Sequence, residues 1–208
     1  MNNEIGYNQW SEQYDLVINK TRDLEEELQR DLLEGLQFQN SLELGCGTGK
    51  NTSWLLTISD KVLAIDNSEG MLNKARLKIE SNKVSFKKYD ISQQWNFGTN
   101  IYDLVSSSLI LEHIEKIDFV FNQASKALRS GGHLYIGELH PFKQYMGSKA
   151  RFKNFEEMIT LDCYTHHLSE YFKAAKNNSF IVEDLKEGFD NNDGIVFPRI
   201  ISFLFVKK

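Results

Sequence analysis

Glycines stand at every second position in the stretch Leu42 to Asn51, LELGCGTGKN, and carboxylates and serines then recur at intervals at Asp66, Asp90, Ser107-Ser108 and Glu138. A glycine turn lets backbone sit close to a ligand, and a carboxylate can accept two hydroxyl hydrogen bonds, so these residue types suit a polyhydroxylated or nucleoside ligand. Two phosphate-binding templates fail on spacing. A Walker A loop needs Ser or Thr after Gly-Lys and a glycine five places before the second glycine, but Asn51 follows Gly49-Lys50 and Leu44 holds the earlier place. A dinucleotide fingerprint needs a glycine three places after Gly47, where Lys50 stands, and Gly49 comes one place early. Asp66 lies 21 positions after Gly45 (66 minus 45), about where an acid grips a ribose diol in such folds. The ligand expected is one that contains a ribose without requiring a diphosphate.

The elements that must position these residues alternate. Short runs rich in Val, Ile, Leu and aromatics predict strands at 41–44, 61–66, 83–90, 102–108 and 131–140. Between them, helices are expected at 51–59, at 68–80 with Ser68 as N-cap, and at 116–128, which ends before Ser130-Gly131-Gly132. An amphipathic helix carrying Leu24, Leu28, Leu32 and Leu36 precedes the first strand. Strand and helix lengths suit βαβ crossovers, so the fold class is α/β: a doubly wound, mostly parallel sheet with helices on both faces. The tail predicts a helix over 169–180 capped by Ser169, strands at 180–190 and 199–208, and a turn at Asn191 to Gly194, NNDG. Two strands joined by so short a loop must be antiparallel, and they bring the sheet to seven strands. Gly45, Asp66, Asp90, Ser107-Ser108 and Glu138 to His140 then all fall at carboxyl ends of consecutive strands, where open α/β sheets bind ligands.

A chain of 208 residues, 41% hydrophobic and 25% charged, fits one domain with a single sizeable core. Net charge is −5 and no basic block exceeds Lys87-Lys88, so nucleic acid and anionic lipid are not the expected partners. No stretch reaches the roughly 18 apolar residues of a membrane span, and the N-terminus lacks a signal-peptide pattern, which gives a cytoplasmic expectation. Cys46 and Cys163 form no CxxC pair and no zinc spacing, so no metal is expected.

The stretches LELGCGTGKNT, VLAIDNSEGML, KKYDIS, YDLVSSSLILEHIE and LRSGGHLYIGELHP, in this order and spacing, resemble the class I S-adenosylmethionine-dependent methyltransferases, especially the small-molecule group that includes quinone-biosynthesis enzymes. The resemblance covers residues 40 to 140 closely and the YNQWSEQYD opening and tail more loosely. It implies a Rossmann-like methyltransferase fold with S-adenosyl-L-methionine as cofactor. It also implies that Glu43 and the turn of Gly45, Cys46, Gly47 and Gly49 hold the methionine part, although Cys46 equally suits a small packing position. Asp66, with Asn67 beside it, would hold the ribose; Met71 would pack on adenine; Asp90 and Ile91 would flank the adenine edge; Ser107 and Ser108 would lie near the amino-acid moiety. Residues 1–39 would form a helical lid, 40–140 the cofactor-binding core, 141–168 a substrate-side insert, and 169–208 the final helix and hairpin.

A sulfonium cofactor carries its own leaving group, so direct in-line transfer needs positioning more than a covalent nucleophile. His140 and His113 are the candidates for proton transfer, against the plainer readings of a strand-ending turn and a satisfied loop histidine. Adjacent His166 and His167 point to opposite sides of an extended chain and do not make a paired ligand set. Tyr7, Trp10 and Tyr14 form either an aromatic lid or ordinary helix packing. Glu138, Tyr145, Lys149 and Arg151 sit in or beside the insert where acceptor choice is expected, with Arg151 and Lys149 able to bind an acidic group or simply to face solvent. The expected function is methyl transfer to a small molecule by a monomer or homodimer, without nucleic acid. The alternatives are a non-catalytic cofactor-binding partner or sensor and, further off, a nucleotide-dependent oxidoreductase. An NPPY-type tetrapeptide is absent after the fourth strand, where SSSL stands. The acceptor atom stays open.

Overall fold

The computed structural model describes residues 2–154, 157–192 and 195–208. Two helices, α1 (Asn3–Trp10) and α2 (Lys20–Leu32), lead into β1 (Phe38–Leu44), α3 (Lys50–Ile58), β2 (Ser59–Asp66), α4 (Glu69–Lys78), β3 (Val84–Lys88) and β4 (Tyr102–Ser108). A 3-10 turn (Leu111–His113) precedes α5 (Ile117–Ala127), β5 (Leu128–Leu139) and α6 (Pro141–Tyr145). The chain closes with a small hairpin of β6 (Arg151–Asn154) and β7 (Glu157–Thr160), then α7 (Leu168–Asn177), β8 (Phe180–Asn192) and β9 (Ile195–Lys207).

Seven strands form one sheet in the order β3-β2-β1-β4-β5-β9-β8. The first five are parallel, and β9 runs antiparallel between β5 and β8. Strand order reverses between β1 and β4, so a crevice opens at their carboxyl ends. Apolar residues cover both faces. Phe203 and Phe205 of β9 join Phe121 and Tyr171 on one side, whereas Leu204 turns to Leu33, Leu55 and Tyr135 on the other. This alternation, with both sides buried, is why the strand reads as a near-continuous apolar run. Among the described residues no helix is long and apolar enough to cross a membrane.

Several expectations need correction in detail. The leucine-rich helix ends at Leu32, and Leu36 lies beyond it because Gly35 turns the chain at φ +76°. Its buried face holds Glu25 and Gln29 as well as Leu32. The last helix starts at Leu168, before Ser169, because the Glu170 carboxylate reaches back to accept the His167 backbone N–H at 2.7 Å. The insert carries α6 and the β6–β7 hairpin, which four-residue strands are too short to announce in sequence. Of the expected NNDG turn, Asn191 and Asn192 belong to β8, and 193–194 lie outside the described residues.

Candidate functional site

β1 delivers the chain into the glycine turn. Gly45 has φ +69°, and a Cβ there would lie 2.8 Å from Ile110 Cγ1, so both conformation and space require glycine. Gly47 has φ +53° with open space around its Cα, which leaves its backbone facing a cavity. The turn is closed from the next strand: Asp66 Oδ2 accepts the Gly47 N–H and Oδ1 the Ser68 N–H, each at 2.8 Å. The Asn67 backbone N–H also faces this carboxylate, and the acceptor capacity left among its roughly four lone pairs is what a ligand diol would meet. Ser68 in turn caps α4, its Oγ accepting the Met71 N–H at 3.2 Å.

Three cavities meet at the carboxyl ends of β1 and β4. The largest, about 580 Å³, is bounded by Gly45, Gly47, Asp66, Asn67, Met71, Asp90, Ile91, Ser108 and His113. Five acids, Glu4, Asp66, Asp90, Glu115 and Asp162, line it, and among the described residues no lysine or arginine does. A second cavity of about 250 Å³ continues from it past Tyr7, Tyr14 and Leu109, toward Trp10, Glu112, Lys149 and Arg151. A third, about 70 Å³, lies beside the turn between Arg22, Glu25, Glu43, Cys46 and Ser108. Tyr14 borders all three.

The acids beside the turn are unusual. Burial pushes Glu43 up to about 8, although Thr52 donates its hydroxyl to it at 2.5 Å. Burial likewise raises Glu25 to about 7, against hydrogen bonds that include those from Tyr135 (2.9 Å) and Asn51 (3.2 Å). An entering cation would favour the ionised form of both. Across from them, Arg22 donates to the carbonyls of Tyr14 (2.8 Å) and Val17 (2.7 Å) and lies 4.1 Å from the Tyr14 ring centroid. Its charge has no ion-pair partner among the described residues.

Tyr7 forms the wall between the two larger cavities, and its hydroxyl lies 2.8 Å from His113 Nε2. His113 Nδ1 lies 2.9 Å from the Asp162 carbonyl. A carbonyl only accepts, so Nδ1 carries the proton and, in the neutral ring, Nε2 accepts from Tyr7. Trp10 stacks between Tyr7 (5.8 Å) and Phe152 of β6 (5.1 Å), joining the N-terminal segment to the insert. That segment is also strapped to the turn: Thr48 donates to Asp15 Oδ1 at 2.7 Å, and Lys78 pairs with the same carboxylate. Glu112 lies under the second cavity with one carboxyl oxygen unpartnered, and burial raises it toward the neutral form.

Of the sequence-predicted residues, Gly49, Ser107, Glu138, His140 and Tyr145 line none of these cavities. Gly49 caps α3 from behind the turn. Ser107 is buried within β4. His140, expected on the ligand rim, instead caps α6: Nδ1 accepts the Phe142 N–H at 3.0 Å, and Nε2 lies 3.0 Å from Glu187. Glu138, expected toward substrate, is 1% exposed and accepts the N–H groups of Ile110 (3.0 Å) and Leu111 (2.8 Å), holding the loop after β4. Tyr145 is exposed and bonded to His167 Nδ1 at 2.8 Å. Arg22, Glu25, Glu112, Lys143 and Arg199 were missed. The spacing of Arg22 and Glu25, i and i+3 on one helix, was the available sign.

The sequence profile of a family described as a methyltransferase domain matches residues 42–136. An uncharacterized methyltransferase of Emericella nidulans is 27% identical over 224 residues, covering 86% of this chain and 76% of that protein. A ubiquinone biosynthesis O-methyltransferase of Pelagibacter ubique is 26% identical over 99 residues, covering 48% of this chain and 41% of the relative, so the chain spans less than half of that protein. Among solved structures, an S-adenosylmethionine-dependent methyltransferase of Mesorhizobium loti matches with a TM-score of 0.74 at 19% identity, covering 88% of this chain and 98% of that one. The N-methyltransferase NodS of Bradyrhizobium japonicum, solved with S-adenosylhomocysteine, matches with a TM-score of 0.71 at 17% identity, covering 93% and 91%. Fold, glycine turn and family profile agree: residues 42–136 match a methyltransferase domain, within a fold shared with S-adenosylmethionine-dependent methyltransferases, with S-adenosylmethionine as cofactor.

Proposed function

We propose that this single-domain protein methylates a small molecule bound in the second cavity, with residues 1–39 serving as the lid. The observation that carries this reading is the shared wall: Tyr7, its hydroxyl on His113, separates a large acidic cavity beside the glycine turn from a smaller one that opens toward the insert. At about 580 Å³ the first lies within the roughly 300–1,000 Å³ usual for small-molecule sites. Its donor set fits the cofactor. Asp66 would take the ribose diol, Met71 and Ile91 the adenine faces, and Asp90 the adenine edge. Glu43 and Glu25 would face the ammonium, and Arg22 the carboxylate. When bound, the cofactor supplies a methyl group on a sulfonium, whose leaving thioether needs no proton.

The chain's own part is positioning, shielding and proton removal. Tyr7, Trp10 and Tyr14 close the space above the turn and exclude water from the transfer point. For an acceptor atom that bears a proton, Tyr7 and His113 provide a route outward, Tyr7 passing its hydroxyl proton to Nε2 as it takes one from the acceptor. The named ubiquinone biosynthesis relative, an O-methyltransferase, favours a hydroxyl as that acceptor.

The test combines calorimetry with S-adenosylhomocysteine and labelled methyl transfer into a panel of small hydroxyl compounds. Binding with transfer is the expected result. Binding without transfer to any compound would leave a non-catalytic cofactor-binding protein. Among active preparations, His113→Asn should lower kcat by about 100-fold or more while leaving affinity for S-adenosylhomocysteine within twofold, since general acid–base catalysis contributes roughly 10²–10⁴-fold.

A further inference from the structure

The two larger cavities differ in charge as well as size. The cofactor-side cavity is lined by five acids, whereas the second is lined by Lys143, Lys149, Arg151 and Arg199 in addition to Arg22. In a chain of net charge −5 this concentration of cations on one concave surface departs from the whole. The negative groups that face it do not cancel it. Asp190 lies behind Lys143 (2.7 Å) and Arg199 and pairs with both, which neutralises one of the four charges. Glu112 is buried and held toward the neutral form. Lys149 and Arg151 are exposed and make no ion pair among the described residues. Arg22 is left aside, because it also borders the small cavity beside the glycine turn.

We propose that this cavity is an anion-recognition subsite, and that the methyl acceptor is a small organic anion, a carboxylate or a phosphate ester, whose charged end is held by Lys149, Arg151, Arg199 and Lys143. The inference rests on the methyltransferase reading above and supplies its substrate class. Arginine forks suit the planar oxygens of either group, and Lys149 and Arg151, exposed and without an ion pair among the described residues, present their donors to it. The aromatic walls formed by Trp10 and Tyr14 face the same space, so a flat acid with its charge toward the insert matches the lining. Tyr7, on the wall shared with the cofactor-side cavity, stands toward the proposed transfer point.

The experiment uses the full chain saturated with S-adenosylhomocysteine, whose binding is measured first. Equilibrium dialysis then compares radiolabelled benzoate, phenyl phosphate and the neutral isostere benzamide. At least one anion should bind about tenfold more tightly than benzamide, the scale of one charge-assisted hydrogen bond, and lose that advantage as sodium chloride is raised. Whichever anion wins identifies the acceptor's charged group. The double variant Lys149→Gln/Arg151→Gln should weaken anion binding by about tenfold or more, leaving benzamide and S-adenosylhomocysteine within twofold of the parent. Equal binding of anions and benzamide, or anion binding unchanged in the double variant, overturns the proposal. Failure to bind S-adenosylhomocysteine would instead overturn the methyltransferase reading itself.

Discussion

At the scale of single residues, Asp66 has two duties that a substitution separates. It holds the glycine turn through the Gly47 and Ser68 N–H groups, and in the proposed site its remaining lone pairs receive the ribose diol. Asp66→Ala should therefore cut affinity for S-adenosylhomocysteine by about 1.5 to 3 kcal/mol, the range of charge-assisted hydrogen bonds. Asp66→Asn keeps one acceptor oxygen and should fall between the parent and Ala. Calorimetry on the three proteins checks the order; equal affinities would remove Asp66 from the ribose site. The spacing from Gly45 made this residue readable, because it reflects one βαβ unit in which every part is local. His140 was misread for the opposite reason. Its place at the end of β5 is where a ligand residue would stand, but Pro141 starts a short helix whose free N–H the imidazole caps. Sequence records the position and not the direction of the ring.

At the scale of elements, the central strands such as β1 and β4 were legible because they are buried on both faces and so read as apolar runs bounded by turn residues, whereas the edge strands β3 and β8 are largely exposed and were legible by their β-branched and aromatic residues. The lid and insert were harder, since α1 and the β6–β7 hairpin are short, and they are held by contacts between distant segments. Trp10 is the central one, between Tyr7 on its own helix and Phe152 on β6. Trp10→Ala should leave the sheet intact and loosen this junction, raising acceptor KM while the far-UV spectrum stays unchanged. Limited proteolysis within residues 11–19 should become faster, because that connection between α1 and α2 would lose its anchor at one end. Cleavage at the parent rate with unchanged KM would show that the stack does not hold the lid. Within α2, Arg22, Glu25 and Gln29 face the sheet ends, yet the sequence reads them as the polar side of an amphipathic helix whose leucines turn inward. Their inward turn follows from polar partners on other elements: Gln29 donates to Ser106 of β4 at 2.8 Å, and Tyr135 of β5 donates to Glu25.

At the scale of the whole molecule, the buried carboxyls make stability and cofactor binding depend on pH in opposite senses. Glu43 and Glu138 are pushed up to about 8 and Glu25 to about 7, from an ordinary value of 4.5, in each case chiefly by burial. Between pH 4.5 and 8 the folded chain therefore binds more protons than the unfolded chain. Stability falls as pH rises through that window, since its slope follows the protons bound unfolded minus those bound folded. His140 works the other way: burial lowers its folded value below 6.5, which adds stability as pH rises near there. These three carboxyls, with Glu112 and Asp66 raised in the same sense, outweigh one imidazole, so the Tm of the cofactor-free protein should drop between pH 5.5 and 8, and Glu138→Gln should flatten the curve. Cofactor binding reverses the sense for the two acids beside the glycine turn. An ammonium placed near Glu43 and Glu25 requires them ionised, so binding should expel protons and strengthen as pH rises from about 6.5 to 8. Calorimetry in buffers of different ionisation enthalpy reads the proton count directly. Release of protons that shrinks in Glu43→Gln places that carboxyl against the cofactor's ammonium; proton uptake, or none at any pH in this range, would place the ammonium elsewhere.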